Sequence, residues 1–397
     1  MSNGLDQATP FADYDATYAY SRMGGKTSER AVLIVNGTVF EDWETVAVIQ
    51  AAKDGPPGAF RFTCSEPLAK SYAAMQIKPG MSCVIYLAGY KAFSGKVVSR
   101  QVFYDSRRHY IEIQGSNYAF VAMQTSVISK TQEFKKVNYK QLMSAIMKPL
   151  NVPFKVEGKG SLPNLIFDRV AIPPGQYAWD LAEQYARQIG VPLTSNSNGD
   201  FVALAGPREG TGNDFVEGQN ILEGREIIVN RAYENTAGQG QMEAKDKKWG
   251  PPTTSVPFIK DDPTGLIPNQ VQQSGYAVIQ AEVPVTSSDK EHLKARNNFE
   301  GTTLDEDSIT VWVTVYGWLK TGGGGLWGPV RSPATVKSPM LTFNSPKQLM
   351  IEKITFTQDN RGGTRTQLEL KNAAAGAADA GRGRIDELPT ANPPTNI

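Results

Sequence analysis

The sequence predicts a mainly β protein carrying one small α+β module. Three observations predict it: short strands punctuated by turn residues between Ala31 and Gln114, helical periodicity confined to the stretch from Asn138 to Pro192, and a return of alternating strands from Ser308 to Leu370. At 397 residues the chain is too long for one ordinary core, so several domains are expected.

Residues 1–30 hold Tyr14, Tyr18 and Tyr20 among Gly, Ser, Thr and Asp without a sustained period, and read as an N-terminal arm that a partner orders. The first β-barrel spans 31–115. Its strands are Ala31–Val35, Thr45–Gln50, Ala59–Cys64, Ser82–Leu87, Phe93–Arg100 and Tyr110–Gln114, with turns at Asn36-Gly37, at 54–58 and at Pro79-Gly80. A strand near 219–230 is expected to complete it.

Residues 116–205 form the α+β module. Asn138 with Gln141 makes a capping box ahead of Leu142, Met143, Ile146 and Met147, and Pro149 stops that helix. In the second helix Ala178, Leu181, Ala182, Tyr185, Ala186 and Ile189 share one apolar stripe, and Gly190 with Pro192 ends it. Short strands, Phe154–Glu157 and Phe201–Leu204, accompany them.

The second β-barrel spans 206–371. Its strands are Ser308–Tyr316, Met350–Thr357 and Thr364–Leu370, with a turn at 359–363 and a glycine-rich tip at Gly322–Gly325. An extended segment, 234–300, is inserted in it, with one short helix at Ser287–Asn298. Residues 372–397, rich in Ala, Gly and Pro, cannot bury enough to offset their ordering entropy and read as a disordered tail.

Forty-one basic against forty acidic residues leave a formal charge of +1, which argues against sequence-independent grip on nucleic acid or anionic lipid. Two cysteines, Cys64 and Cys83, argue against a disulfide scaffold and for cytoplasmic synthesis. No stretch has the length of apolar residues that stable membrane insertion needs, and the N-terminus has no export signal.

Catalytic chemistry is hard to find. His109 and His292 lie far apart without ligand-type neighbours, Cys64 sits on a strand with no basic partner nearby, and the Gly322–Gly325 run lacks the Lys-Ser or Lys-Thr of a phosphate loop. Asp180 with Glu183 is the carboxylate pair that a peptidoglycan hydrolase would use, and its alternative is a solvated helix face. The sequence from Ile172 to Tyr185 is similar to the opening of a LysM peptidoglycan-binding module, while the plain reading of Trp179 is packing within its own module. Residues 172–190 thus carry a second functional reading, binding or cutting peptidoglycan. No catalytic residue, cofactor or metal site is assigned.

Several ordered blocks resemble the phage late control gene D protein family, the baseplate central hub of Mu-like contractile-tailed phages. They are Val35-Asn36-Gly37, Asp42 through Val46, Gly58 through Phe62, Gly115 through Ala119, Pro174-Gly175 with the following helix, Gln219 through Glu223, and Arg296 through Trp318, Leu326-Trp327 and Gly362 through Leu368. The resemblance implies two barrels of tail-tube type flanking the α+β module. It also implies a homotrimer whose ring joins the tail tube, or a tube-initiator protein, to a central membrane-puncturing spike. DNA or tape-measure protein would pass through the lumen, beside other baseplate proteins, in the virion of a phage or a tailocin. Trp312, Tyr316, Trp318 and Trp327 are candidate trimer-interface anchors, and barrel core is the other reading.

Overall fold

The computed structural model describes residues 29–41, 43–52, 57–64, 76–106, 109–129, 133–229, 235–243, 249–259, 276–280, 295, 309–321, 324–341 and 343–372. The expected arm up to residue 28, the tail from 373 onward and, Ala295 apart, the helix at Ser287–Asn298 lie outside them.

The first β unit holds β1 (Ala31–Val35), β2 (Thr38–Phe40), β3 (Thr45–Ala51), β4 (Gly58–Cys64), β5 (Ser82–Leu87), β6 (Tyr90–Tyr104) and β7 (His109–Ser116). Alternation builds it: on β4, Gly58, Phe60, Phe62 and Cys64 point inward while Arg61 is exposed. Phe60 meets Phe62 and Phe93 edge to face at 5.6 and 5.3 Å. Asn36 and Gly37 at positive φ close the β1–β2 hairpin.

The module follows with α1 (Ala119–Gln124), β8 (Glu133–Asn138), α2 (Tyr139–Met147), β9 (Phe154–Glu157), β10 (Ile166–Ala171), α3 (Ala178–Gln188), β11 (Leu193–Ser195) and β12 (Phe201–Leu204). The capping box forms, with Gln141 N–H donating to Asn138 Oδ1 at 2.9 Å and Asn138 N–H donating to Gln141 Oε1 at 3.0 Å. A 3-10 turn, Lys148–Leu150, ends α2 at the expected proline. The apolar stripe of α3 is buried in a core separate from that of the sheet.

The second β unit holds β13 (Asp214–Val216), β14 (Ile221–Ile228), β18 (Ile309–Tyr316), β19 (Pro333–Ser338), β20 (Phe343–Asp359) and β21 (Gly363–Asn372). Between β14 and β18, β15 (Asn235–Glu243), β16 (Trp249–Ile259) and β17 (Tyr276–Gln280) form their own sheet in the order β16-β15-β17. The extended reading of 234–300 is corrected there: Gly238, Gly240, Pro251 and Pro252 hide the strand pattern from the sequence.

Strand neighbours correct a further expectation. Residues 221–228 do not complete the first unit; they pair antiparallel with β18, their neighbour across the insertion. The two β units also join. Lys353 to Gln358 of β20 pair antiparallel with Ala51 to Val46 of β3, which makes one sheet in the order β14-β18-β21-β20-β3-β4-β7-β6-β5-β1-β2. A single apolar core runs through both units.

The units repeat one another. Neighbours in the first run β3-β4-β7-β6-β5-β1, and in the second β14-β18-β21-β20-β19-β13, with the same order along the chain. All these pairings are antiparallel except β13 with β19, which is parallel.

Candidate assembly interface

β18 ends at Tyr316, and Gly317 turns the chain at a φ of +79°, where a side chain is strained. The turn aims two backbone N–H groups at one carboxylate: Trp318 and Leu319 donate to Glu29 Oε1 at 2.7 and 3.2 Å. Gln358 Nε2 donates to the Glu29 carbonyl at 2.9 Å. Glu29, two residues before β1, is thereby pinned to the second β unit.

Trp318 is fully buried, and its indole N–H donates to the Thr357 carbonyl at 3.1 Å. Trp327 N–H reaches Trp318 O at 3.0 Å, and its ring lies 5.0 Å from Phe215. These two candidate anchors therefore sit inside the core of their own chain, because the corner folds back onto β20. The other two face outward. Trp312 is half-buried with the Arg225 guanidinium 5.2 Å above its ring, and Tyr316 is 71% exposed. Gly324 and Gly325 take positive φ and Lys320 N–H reaches Gly325 O at 3.0 Å, as turn chemistry demands.

A larger outward apolar surface escaped the sequence reading. On the β6–β7 hairpin Val98, Val102, Phe103, Tyr104 and Tyr110 are exposed, with the Phe103 and Tyr110 rings stacked at 5.1 Å. The signal was present in Val102-Phe103-Tyr104: three consecutive apolar residues on a strand cannot all face one core. Leu222, Ile228 and Val229, on and just beyond β14, add a second exposed group.

Buried polar contacts hold the module against the sheet. Arg208 donates to Ser195 O at 3.0 Å and pairs with Glu157 at 2.8 Å; burial pulls its pKa below the ordinary guanidinium range and Glu157 opposes that. Within the second unit, Asn213 Nδ2 donates to Gly328 O, Ser332 Oγ and Pro333 O, and Oδ1 accepts from Gly328 N–H. A cleft of about 620 Å³ remains where module and both β units meet, lined by Lys91, Glu157, Arg208, Glu209 and Lys320. Lys91 bonds Asn198 across the contact of first unit and module, and Lys320 bonds the Thr211 carbonyl.

The catalytic alternatives gain no geometry. Glu183 is ion-paired with Arg187 one helical turn away, and Trp179 packs edge-on to Phe201 at 5.2 Å. Cys64 and Cys83 are buried, and desolvation pushes the Cys83 thiol up to about 12. His109 lies on β7, and His292 is outside the described residues. Among the described residues no group of His, Cys, Asp and Glu could hold a metal ion, and no helix is long and apolar enough to cross a membrane.

Comparison with known proteins gives this surface a context. Residues 30–117 match the family model described as Mu phage baseplate assembly protein GpP-like, N-terminal, and residues 123–204 match that of the baseplate hub protein gp44-like second domain. No curated protein sequence matches the chain. Among solved structures, the 43 kDa tail protein of prophage MuSo2 from Shewanella oneidensis superposes with a TM-score of 0.70 at 20% identity, covering 88% of this chain and 99% of that one. The tail protein from Neisseria meningitidis MC58 gives 0.67 at 14% identity, covering 88% and 98%. The Escherichia coli c3393 protein, a type VI secretion component, gives 0.51 at 7% identity, covering 85% and 76%. The solved structures share the fold, and the two family-model matches stand in order along the sequence, so residues 30–204 are similar to domains of Mu-like baseplate hub proteins.

Proposed function

We propose that three copies of this chain close into a ring that joins a tail tube to a membrane-puncturing spike. DNA or tape-measure protein passes through its lumen, and the ring does no chemistry of its own. The observation that carries this reading is the repeat: two β units with the same strand order lie edge to edge in one chain, so three chains supply six equivalent units. That number suits a part standing between a sixfold tube and a threefold spike. Each unit contributes a barrel of tail-tube type to the wall. The near-neutral charge suits a passage that must not hold a polyanion, and Trp312 with Tyr316 are the outward members of the anchor set. The c3393 protein is itself described as structurally similar to T4 tail proteins gp27 and gp5, which supports a place in a tail assembly. The copies are made in the host bacterial cytoplasm and end in the virion baseplate.

The test is mass in solution by light scattering, with class averages from electron microscopy. Three times the 43.3 kDa chain mass and a central hole are expected, and a monomer at every concentration refutes the reading. Zymography on peptidoglycan is expected to stay clear of lysis. A lytic zone abolished by Asp180→Asn or Glu183→Gln would transfer the function to residues 172–190.

A further inference from the structure

The internal repeat supplies a template for how one copy meets the next. In the first unit the β6–β7 register slips between Val97 and Ser99, and in the second the β20–β21 register slips between Ile351 and Lys353. Superposing the two slips aligns Ser99 with Lys353 and Gly115 with Leu370. Phe60, opposite Gly115, then aligns with Val311, opposite Leu370, and Val48, opposite Phe60, aligns with Glu226, opposite Val311. Strand β6 thus corresponds to β20, and β3 to β14.

Within the chain, the stretch of β20 beyond its β19 partner is covered by β3, Lys353–Gln358 against Ala51–Val46. The corresponding stretch of β6, Ser99–Tyr104 beyond its β5 partner, has no strand on that side among the described residues. Nor has β14, the counterpart of β3, a strand on its outer side among them. Among the described residues, the same two edges that join inside the chain have no partner strand at its ends.

Exposure follows the same correspondence. Phe356 and Val48 are 0% exposed and Ala51 5%, each sealed by the internal junction. Val102, the counterpart of Phe356, is 46% exposed although its neighbours on that face, Ile111 and Ile113, are buried; Val229, the counterpart of Ala51, is 51% exposed. A flat open edge with apolar side chains is the surface that strand addition covers.

We propose that copies join through antiparallel pairing of β6 in one copy with β14 and Val229 in the next, in the register from Ser99 opposite Val229 to Tyr104 opposite Gly224. The proposal rests on the ring reading above and names its seam. This register sets Phe103 opposite Arg225, whose guanidinium already lies over Trp312, so the cation is held between two aromatic rings. The occupant is a second copy because each edge finds the complement of its register in this chain, and pairing two different edges head to tail closes a ring.

Two cysteine pairs test it in the full chain: Phe103→Cys with Arg225→Cys, and Gln101→Cys with Ile227→Cys. The mismatched control is Phe103→Cys with Val229→Cys. Under mild oxidation both matched pairs are expected to yield covalent trimers on a non-reducing gel, and the control and the parent chain none. Val102→Asp is expected to shift the solution mass to that of one chain with an unchanged circular dichroism spectrum. A particle of trimer mass that neither matched pair links, or that the control links equally, overturns the seam and leaves the ring reading standing. A single-chain mass for the parent overturns both.

Discussion

Replacing Glu29 tests whether the corner at Gly317 depends on a residue that is nearly three hundred positions away. The Glu29 carboxylate accepts from Trp318 and Leu319 N–H, and charge-assisted bonds contribute roughly 1.5–3 kcal/mol each when sheltered. Glu29 is half-buried and water screens part of that, so Glu29→Ala is expected to lose about 2–3 kcal/mol in all. Glu29→Gln keeps an oxygen acceptor and loses only the charge, for about 1 kcal/mol. The geometry also fixes a coupling. A Cβ at Gly317 would stand 2.9 Å from Glu29 Oε1 at a φ of +79°, so Gly317→Ala meets both a clash and backbone strain. In the Glu29→Ala background only the strain remains, roughly 1 kcal/mol, and the two losses add to less than their sum. The assay is urea unfolding followed by tryptophan fluorescence. A Glu29→Ala loss below about 0.5 kcal/mol, or strict additivity with Gly317→Ala, would refute the reasoning.

Other perturbations are as definite. Arg331 and Glu352, 5% and 4% exposed, pair at 2.8 Å; either Arg331→Met or Glu352→Leu alone should cost about 3–5 kcal/mol in denaturant unfolding, and the double variant should regain most of it. Asn213→Ala strands several buried partners at once, and a loss of about 2–4 kcal/mol in the same measurement is expected. For Cys83 the folded pKa, about 12, stands above the ordinary thiol value of 9.0, so the fold holds its proton more tightly and stability falls as pH rises past 9. The loss is about 1.4 kcal/mol by pH 10, and Cys83→Ala should flatten the stability curve between pH 9 and 10, below the range where Tyr185, raised to about 12, joins the same trend.

Much of the local structure was legible. Ala31–Val35, Ser82–Leu87, Phe154–Glu157 and Phe201–Leu204 are strands with the bounds that periodicity and turn residues suggest, and the α3 stripe is buried as its spacing requires. What failed was adjacency. Period-two alternation tells which face of Ile221–Ile228 is apolar, but not that its partner β18 lies beyond an insertion of some eighty residues. The β3–β20 junction joins residues three hundred positions apart and leaves no local mark. Helix α1, six residues long, is too short for a 3.6-residue period to register. Of the aromatic set, Trp318 and Trp327 read as outward or inward with equal ease until the Gly317 turn decided it. The exposed Val102-Phe103-Tyr104 run was readable as a departure from alternation.

The 17-residue β20 also determines how the chain carries force. Its first half belongs to the ladder with β19, its second half to the ladder with β3, and β21 runs along its other side. A pull along the strand that tries to slide one β unit past the other loads the junction's six paired positions together in shear, so they do not open one at a time like a zip. The paired strands and the shared core together fix the mutual angle of the units. A deformation of the chain is therefore taken up outside this junction, and the two units move as one stiff body.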